Sequence, residues 1–377
     1  MRLASVCLSP RFPRIDTPVC LQYTRSGVIP HVTWDLLAHL EDDGAPLLSP
    51  VASLLPLQQP LRSLSCDLHG FCRLPSRPVF LSVYDPTTPL LPGANKKAGI
   101  AYSRREGLRR INGLAYLDLI SLVKPQAFQS LADADTPKDA SPKRLGHSLS
   151  RTLGYLDEMR LRQQHGLVAA EGASVFASVV GGHDAHTREV SVKDLLERSV
   201  DGYVLEAFHD YDPAKTLHLE PETIGLVNRV TGCLPKEAPK ALFGCFSPEI
   251  MLQLMEAGID IFDSSVATVL TERGHAMVIK VTSPAGDSTQ GLSVETQVLD
   301  LRERKFKEDM TVIARGCRCY ACKQLFTKAY INHLLVTKEM LASVLLNLHN
   351  IFALYDFFRE VRSHASATDA REPRMKS

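Results

Sequence analysis

Between Ser174 and Asp263, short apolar runs alternate with longer segments whose apolar residues recur at three- and four-residue steps. That alternation is what a parallel α/β architecture demands, each strand being covered by the helix that follows it. Ser174–Val180 reads as a strand and Val190–Arg198 as a helix; Gly202–Phe208 is the next strand and Pro221–Val230 the next helix. Strand Lys240–Cys245 follows, and strand Ile259–Asp263 ends the series. The helix between them, Pro248–Ala257, has a defined start and stop: Ser247 as N-cap, Pro248 at the first helical position, Glu249 in the first turn and Gly258 as C-terminal cap. Val79–Tyr84 and Met277–Val281 are further strand candidates, and His147–Gln163 is a long amphipathic helix. The stretches Ser49–Pro60 and Thr136–Pro142 read as surface loops. Successive βα units of about 30 residues in a chain of 377 fit a (β/α)8 barrel, here expected over residues 15–308. No G-x-G-x-x-G follows any strand, which argues against a dinucleotide fold.

After Met310 the pattern changes to a cysteine-rich loop followed by long helical stretches, expected to form a small subdomain over residues 309–350. Leu341, Val344, Leu345, Leu348, Phe352, Tyr355 and Phe358 build one apolar stripe, continued in a helix over residues 351–364. Such a stripe either packs on the barrel or meets another subunit, and its spacing does not separate the two. Ala365–Ser377 is poor in apolar residues and reads as a disordered tail.

With 45% hydrophobic residues and net charge +1, the chain can bury a sizeable core, and its overall charge selects no partner. No stretch approaches the ~20 uninterrupted apolar residues of a membrane span. The first fifteen residues carry Arg2, Arg11 and Arg14 and no acid, a faint transit-peptide composition. Charge is uneven: between Lys96 and Arg162 thirteen Lys/Arg stand against seven Asp/Glu, and Arg315, Arg318, Lys323 and Lys328 surround the cysteine loop. These could face phosphates or simply form a solvated surface.

The most specific chemistry lies in Cys317-Arg318-Cys319-Tyr320-Ala321-Cys322, with His349 27 positions beyond the last cysteine. Three thiolates and an imidazole fill a tetrahedral Zn2+ shell and leave no position for a reacting water, so the site predicted is structural. His333 is the other candidate for the fourth ligand. A disulfide framework fits poorly, because nine cysteines is an odd number and the other six (Cys7, Cys20, Cys66, Cys72, Cys233, Cys245) are scattered.

With the zinc run, Ala329-Tyr330-Ile331-Asn332-His333-Leu334-Leu335 and Leu348-His349-Asn350 in view, the chain resembles the tRNA-guanine transglycosylase (queuine tRNA-ribosyltransferase) family. Val180-Gly181-Gly182, Leu234-Pro235 through Lys240, and Gly258-Ile259-Asp260-Ile261-Phe262-Asp263 look like its Val-Gln-Gly-Gly, Leu-Pro…Pro-Arg and Gly-Ile-Asp-x-Phe-Asp motifs. The likeness is dense from about residue 174 to 362 and thin before it. It implies a (β/α)8 barrel with a zinc-binding insertion that exchanges guanine for queuine at the wobble position 34 of GUN-anticodon tRNAs. In that reaction an Asp attacks the anomeric carbon and a second carboxylate serves as acid/base.

The resemblance places Asp263 at the nucleophile position, at the C-terminal end of a barrel strand. The family's Asp-Ser-Gly-Gly-Phe-Gln turn, which carries the second carboxylate, has no counterpart here. Val180 replaces a base-binding glutamine, Tyr203-Val204-Leu205-Glu206 replaces a Gly-Gly step, and Ala267-Thr268-Val269 stands for an anticodon-contacting Pro-Thr-Arg. The interval from Cys322 to His349 is one residue longer than usual, owing to Lys323–Phe326. The expectation is therefore a non-catalytic subunit, Asp263 being a relic, that forms a heterodimer with a catalytic subunit of the same fold and meets tRNA through the complex. The alternatives are an active transglycosylase using Asp263, or a free-standing zinc-stapled RNA-binding module, for which only Tyr320, Phe326 and Tyr330 offer stacking surfaces near the loop. Resemblance also implies a cytoplasmic setting with peripheral association at the mitochondrial outer membrane, and leaves a homodimer open.

Overall fold

A computed structural model describes residues 4–9, 12–40, 44–74, 77–90, 93–104, 107–165, 172–206, 208, 219–282 and 291–369. Eight short parallel strands close into a barrel: β1 Val19–Tyr23, β2 Leu47–Pro50, β3 Val79–Ser82, β4 Ala127–Gln129, β5 Ser174–Val179, β6 Gly202–Leu205, β7 Lys240–Ala241 and β8 Ile261–Asp263. They stand in chain order, and β8 pairs with β1 to complete the ring, Asp263 lying opposite Leu21. The period-two alternation of the strands decides what fills the barrel. Val19, Leu21, Tyr23, Phe80, Phe176 and Val204 pack inside, whereas Cys20, Val79, Leu81, Val175, Ala177 and Leu205 face the surrounding helices. Phe176 leaves room for nothing but hydrogen at position 202: a Cβ on Gly202 would fall 2.4 Å from its ring.

Below β1, Ala4–Val6 pairs antiparallel with Ile15–Thr17, and Val6 and Leu8 join the interior cluster. The stretch with the transit-like composition thus contributes to the barrel core. The helices start where their caps dictate. Ser141, Asp184 and Ser247 accept hydrogen bonds from the third residue beyond them, opening helices Pro142–Gln164, Ala185–Leu196 and Pro248–Glu256; Gly258 follows the last with φ +93°.

Three expectations need correction. Strand Lys240–Cys245 contracts to Lys240–Ala241, because Leu242–Cys245, although buried, turns over the barrel mouth, with the Phe246 amide bonded to the Gly244 carbonyl. Strand Gly202–Phe208 ends at Leu205. The loop expected at Ser49–Pro60 is instead the end of β2 followed by helical turns, Val51–Leu54, Leu55–Leu57 and Gln58–Leu64. Pro50 ends the strand as the cap of the first turn, Pro56 and Pro60 sit in first turns, where a missing N–H costs nothing, and Leu54 and Leu61 are buried.

Outside the barrel, His275–Thr282 and Ser293–Asp300 form an antiparallel hairpin. A terminal helix, Met340–Asp369, runs from the cysteine loop to the β1/β8 seam. There Phe358 meets Phe262 edge-on at 5.7 Å, Tyr355 donates to Gln22 Oε1 at 2.6 Å and Arg362 to the Pro18 carbonyl at 2.9 Å. Val361 and Ala365, both buried, prolong the stripe past Phe358, so the expected break at 365 falls within the helix. Residues 370–377 of the expected tail lie outside the described residues.

Candidate metal centre and barrel mouth

Cys317, Cys319, Cys322 and His349 come together, with their Sγ and Nδ1 atoms all within 4.8 Å of one another. Nδ1 of His349 lies 3.3 Å from Cys319, 3.6 Å from Cys322 and 3.8 Å from Cys317. An ion about 2.3 Å from each sulfur and about 2.1 Å from nitrogen would hold them roughly 3.6 Å apart in a tetrahedron, so the donors fit one. On the far side of the ring, Nε2 lies 2.9 Å from the Met277 carbonyl. A carbonyl can only accept, so Nε2 carries the proton and Nδ1 turns its lone pair to the sulfurs. Hydrogen bonds from Cys317 and Cys319 draw the Cys322 thiol down to about 3, and the same contacts push Cys319 up. Three crowded sulfurs divide their protons unequally, and a divalent cation is what allows all three to be thiolates.

Local structure explains the convergence. Cys319 caps the short helix Tyr320–Lys323, its Sγ accepting from the Cys322 amide at 3.3 Å. Within Lys323–Phe326, Leu325 is left-handed at φ +61° and 74% exposed. His333 is exposed on helix Lys328–Val336 and takes no part. Asn350 binds the hairpin beside His349: its Oδ1 accepts from the Met277 amide, and its Nδ2 donates to Thr271 Oγ1 and the His275 carbonyl. Tyr320, Phe326 and Tyr330 stack in series on one another, at 6.2 and 5.9 Å.

At the C-terminal mouth of the barrel, Asp263 is buried at 1% exposure. Its Oδ2 accepts from the Gly244 amide at 2.7 Å and its Oδ1 from the Ser265 amide at 2.8 Å. Burial raises its pKa to about 6 despite those bonds. Asp85, just past β3, accepts from the Tyr23 hydroxyl at 3.0 Å and from the Thr87 amide and hydroxyl at 2.8 and 2.7 Å. Gln129 donates to Ser178 and Glu206. Arg188 reaches in from its helix, fully buried, and donates to the carbonyls of Gly182, Val179 and Glu206 at 2.7, 3.3 and 2.6 Å, with its guanidinium 3.8 Å from the Phe208 ring. Desolvation lowers its pKa to about 9, which still leaves it charged at neutral pH.

A family model described as queuine tRNA-ribosyltransferase matches residues 2–373. The chain belongs to that family. It is similar to proteins named queuine tRNA-ribosyltransferase accessory subunit 2: 36% identical over 363 residues to that of Ixodes scapularis, 30% over 357 to that of Culex quinquefasciatus and 28% over 376 to that of Xenopus tropicalis. These alignments cover 95, 94 and 93% of this chain and 91, 82 and 89% of the relatives.

Within this queuine tRNA-ribosyltransferase fold, the Gly181-Gly182 step makes room for side chains of the chain itself. A Cβ on Gly181 would fall 2.7 Å from Arg188 Cγ and 2.9 Å from its backbone nitrogen, and one on Gly182 would fall 3.0 Å from Leu145. The space is filled by the protein itself. Val180 is buried at 1% exposure, Val204 packs in the barrel interior, and Ala267, Thr268 and Val269 are buried within helix Ser265–Glu272, away from any polynucleotide. Asp85 is the mouth residue missed in the sequence. A carboxylate one position beyond the expected strand Val79–Tyr84 was the signal for it.

Proposed function

We propose that the chain is the non-catalytic subunit of a queuine tRNA-ribosyltransferase complex, with one structural Zn2+ on Cys317, Cys319, Cys322 and His349. One observation carries the reading: a four-donor metal site and its helix are complete, while Arg188 occupies the space beside the Gly181-Gly182 step and the mouth carboxylates Asp263 and Asp85 are engaged within the chain. Asp263 is 1% exposed and each of its oxygens is held by a backbone amide, of Gly244 and of Ser265, whereas a nucleophile has to be presented to its substrate. The redox-inactive d10 ion, closed by four ligands, would contribute folding energy and no reaction.

The partner would be a catalytic subunit of the same fold, seated over the apolar groove of about 780 Å3 between Val28–Trp34 and Leu335–Val344. Val28 is 41% and Met340 85% exposed at that groove, more apolar surface than a solvated edge requires. A homodimer across the same groove is the competing occupant. The cytoplasmic setting and a peripheral place at the mitochondrial outer membrane rest on the resemblance alone, and cell fractionation tests both.

The experiment is reconstitution. The chain alone should not exchange labelled guanine into tRNA, and mixing it with a catalytic family member should produce a stable heterodimer that does. Exchange by the isolated chain at the rate of the pair would overturn the proposal and restore the active reading, in which Asp263 attacks.

A further inference from the structure

The basic excess between Lys96 and Arg162 separates, in the folded chain, into paired and unpaired groups. Arg144 and Arg151 bind buried Asp133, Lys138 pairs with Glu220 and Arg162 with Glu158. Lys124, Lys143 and Arg160 lie on or beside helices elsewhere, and Lys96, Lys97, Arg109 and Arg110 gather on one projection, the antiparallel ribbon of Ile100–Arg104 and Gly107–Ile111. Ile100 and Ile111, opposite each other and buried at 2 and 3% exposure, root it in the core, and beyond them Gly107, Leu108, Arg109 and Arg110 are exposed. Lys96 and Lys97 are exposed at its base. Among the described residues none of Lys96, Lys97, Arg109 and Arg110 forms an ion pair; Arg110 donates only to the Ala94 carbonyl, at 3.1 and 3.2 Å. From Ala94 to Ile111 the sequence holds six Lys/Arg and one acid.

We propose that this ribbon is an RNA-gripping element, gaining its hold from the phosphates flanking a groove of a folded RNA. The choice of RNA rests on the function proposed above; the choice of ribbon rests on its geometry. Successive strand residues point to opposite faces, so Arg109, paired with Tyr102, and Arg110, paired with Ala101, present charge on both sides of the ribbon. A groove walled by two phosphate rows meets both faces, whereas a lipid plane meets one. The single exposed apolar side chain described here, Leu108 at 43%, is too little to insert into a bilayer. At its root a cavity of about 250 Å3 separates Tyr102 and Leu108 from Arg25 and Asp85 of the barrel mouth, so the ribbon stands at the end of the barrel where family members act.

The test uses the full chain and a labelled RNA stem-loop, with affinity measured by anisotropy from low to moderate salt. Combining Lys96→Gln, Lys97→Gln, Arg109→Gln and Arg110→Gln should weaken binding tenfold or more and flatten the log–log salt slope by up to about 3, at roughly 0.7 per lost contact. The charge-retaining pair Arg109→Lys and Arg110→Lys should stay within about threefold of wild type, and unchanged metal content and melting would show that both variants fold. Wild-type chain that binds no RNA, or a glutamine variant with unaltered affinity and slope, overturns the inference. So does charge-dependent binding to phosphatidylserine vesicles with RNA affinity unaffected. Failure of the function proposed above would show instead as an assembled pair that exchanges no guanine, a readout independent of these four residues.

Discussion

His349 gives its Nε2 proton to the Met277 carbonyl at 2.9 Å, which ties the fourth ligand of the metal centre to the hairpin outside the barrel. Metal, hairpin and terminal helix are therefore one cooperative unit, and loss of the ligand should release all three. His349→Ala is expected to lower bound zinc from one equivalent to nearly none and to destabilise the chain by several kcal/mol, given that structural zinc sites contribute about 10–16 kcal/mol of apparent binding energy. Elemental analysis and thermal unfolding measure both. A zinc-free variant that melts like wild type would remove the structural role.

Asn350 separates the metal from the hydrogen bonds around it. Its side chain makes three buried hydrogen bonds, to Met277, Thr271 and His275, and truncation leaves the Met277 amide without its partner at about 1–3 kcal/mol. Asn350→Ala should therefore cost roughly 2–4 kcal/mol while zinc stays stoichiometric. Denaturant titration with metal analysis on the same sample checks the pair of outcomes.

Gly181 has φ +141°, and its missing Cβ is replaced by Arg188. Because the nearest atoms include the backbone of Arg188, a methyl group cannot be accommodated by a side-chain turn alone. Gly181→Ala should destabilise by about 2–4 kcal/mol, more than the ordinary surface change, and chemical denaturation is the measurement. Wild-type stability would mean that the Arg188 plug is loose.

How far the sequence disclosed these features depended on the range of the signal. The four donors of the candidate metal site were legible because three of them share one turn, and the βα repeats because burial imposes a period on each strand. The helical turns after β2 were hidden by Pro50, Pro56 and Pro60, residues that mark loops in general and first turns in this fold. Arg188 was invisible: an arginine in an amphipathic helix carries no local sign that it will be desolvated against three carbonyls. No Asp-Ser-Gly-Gly-Phe-Gln turn surrounds Asp85, and its position one residue past the expected strand Val79–Tyr84 is the property that marks it.

Asp263 decides between an inert and an active barrel, and its titration gives a second observable. Its folded pKa of about 6 exceeds the ordinary 3.8, so the native state holds this proton more tightly than the unfolded chain. The associated stabilisation is complete below pH 3.8 and disappears as pH rises through 6, a change on the order of 3 kcal/mol for about two units. Asp263→Asn abolishes that titration. The difference in unfolding free energy between wild type and variant should therefore shift across pH 3.8–6 and stay flat above it, with effects of the metal ligands cancelling in the comparison. In the assembled complex the same substitution should leave guanine exchange within about twofold, because the carboxyl is buried at 1% exposure and held by the backbone of Gly244 and Ser265. Loss of exchange by 10²–10⁴, the scale of a missing catalytic group, with zinc and dimer retained, would make Asp263 the nucleophile and the mouth an active site.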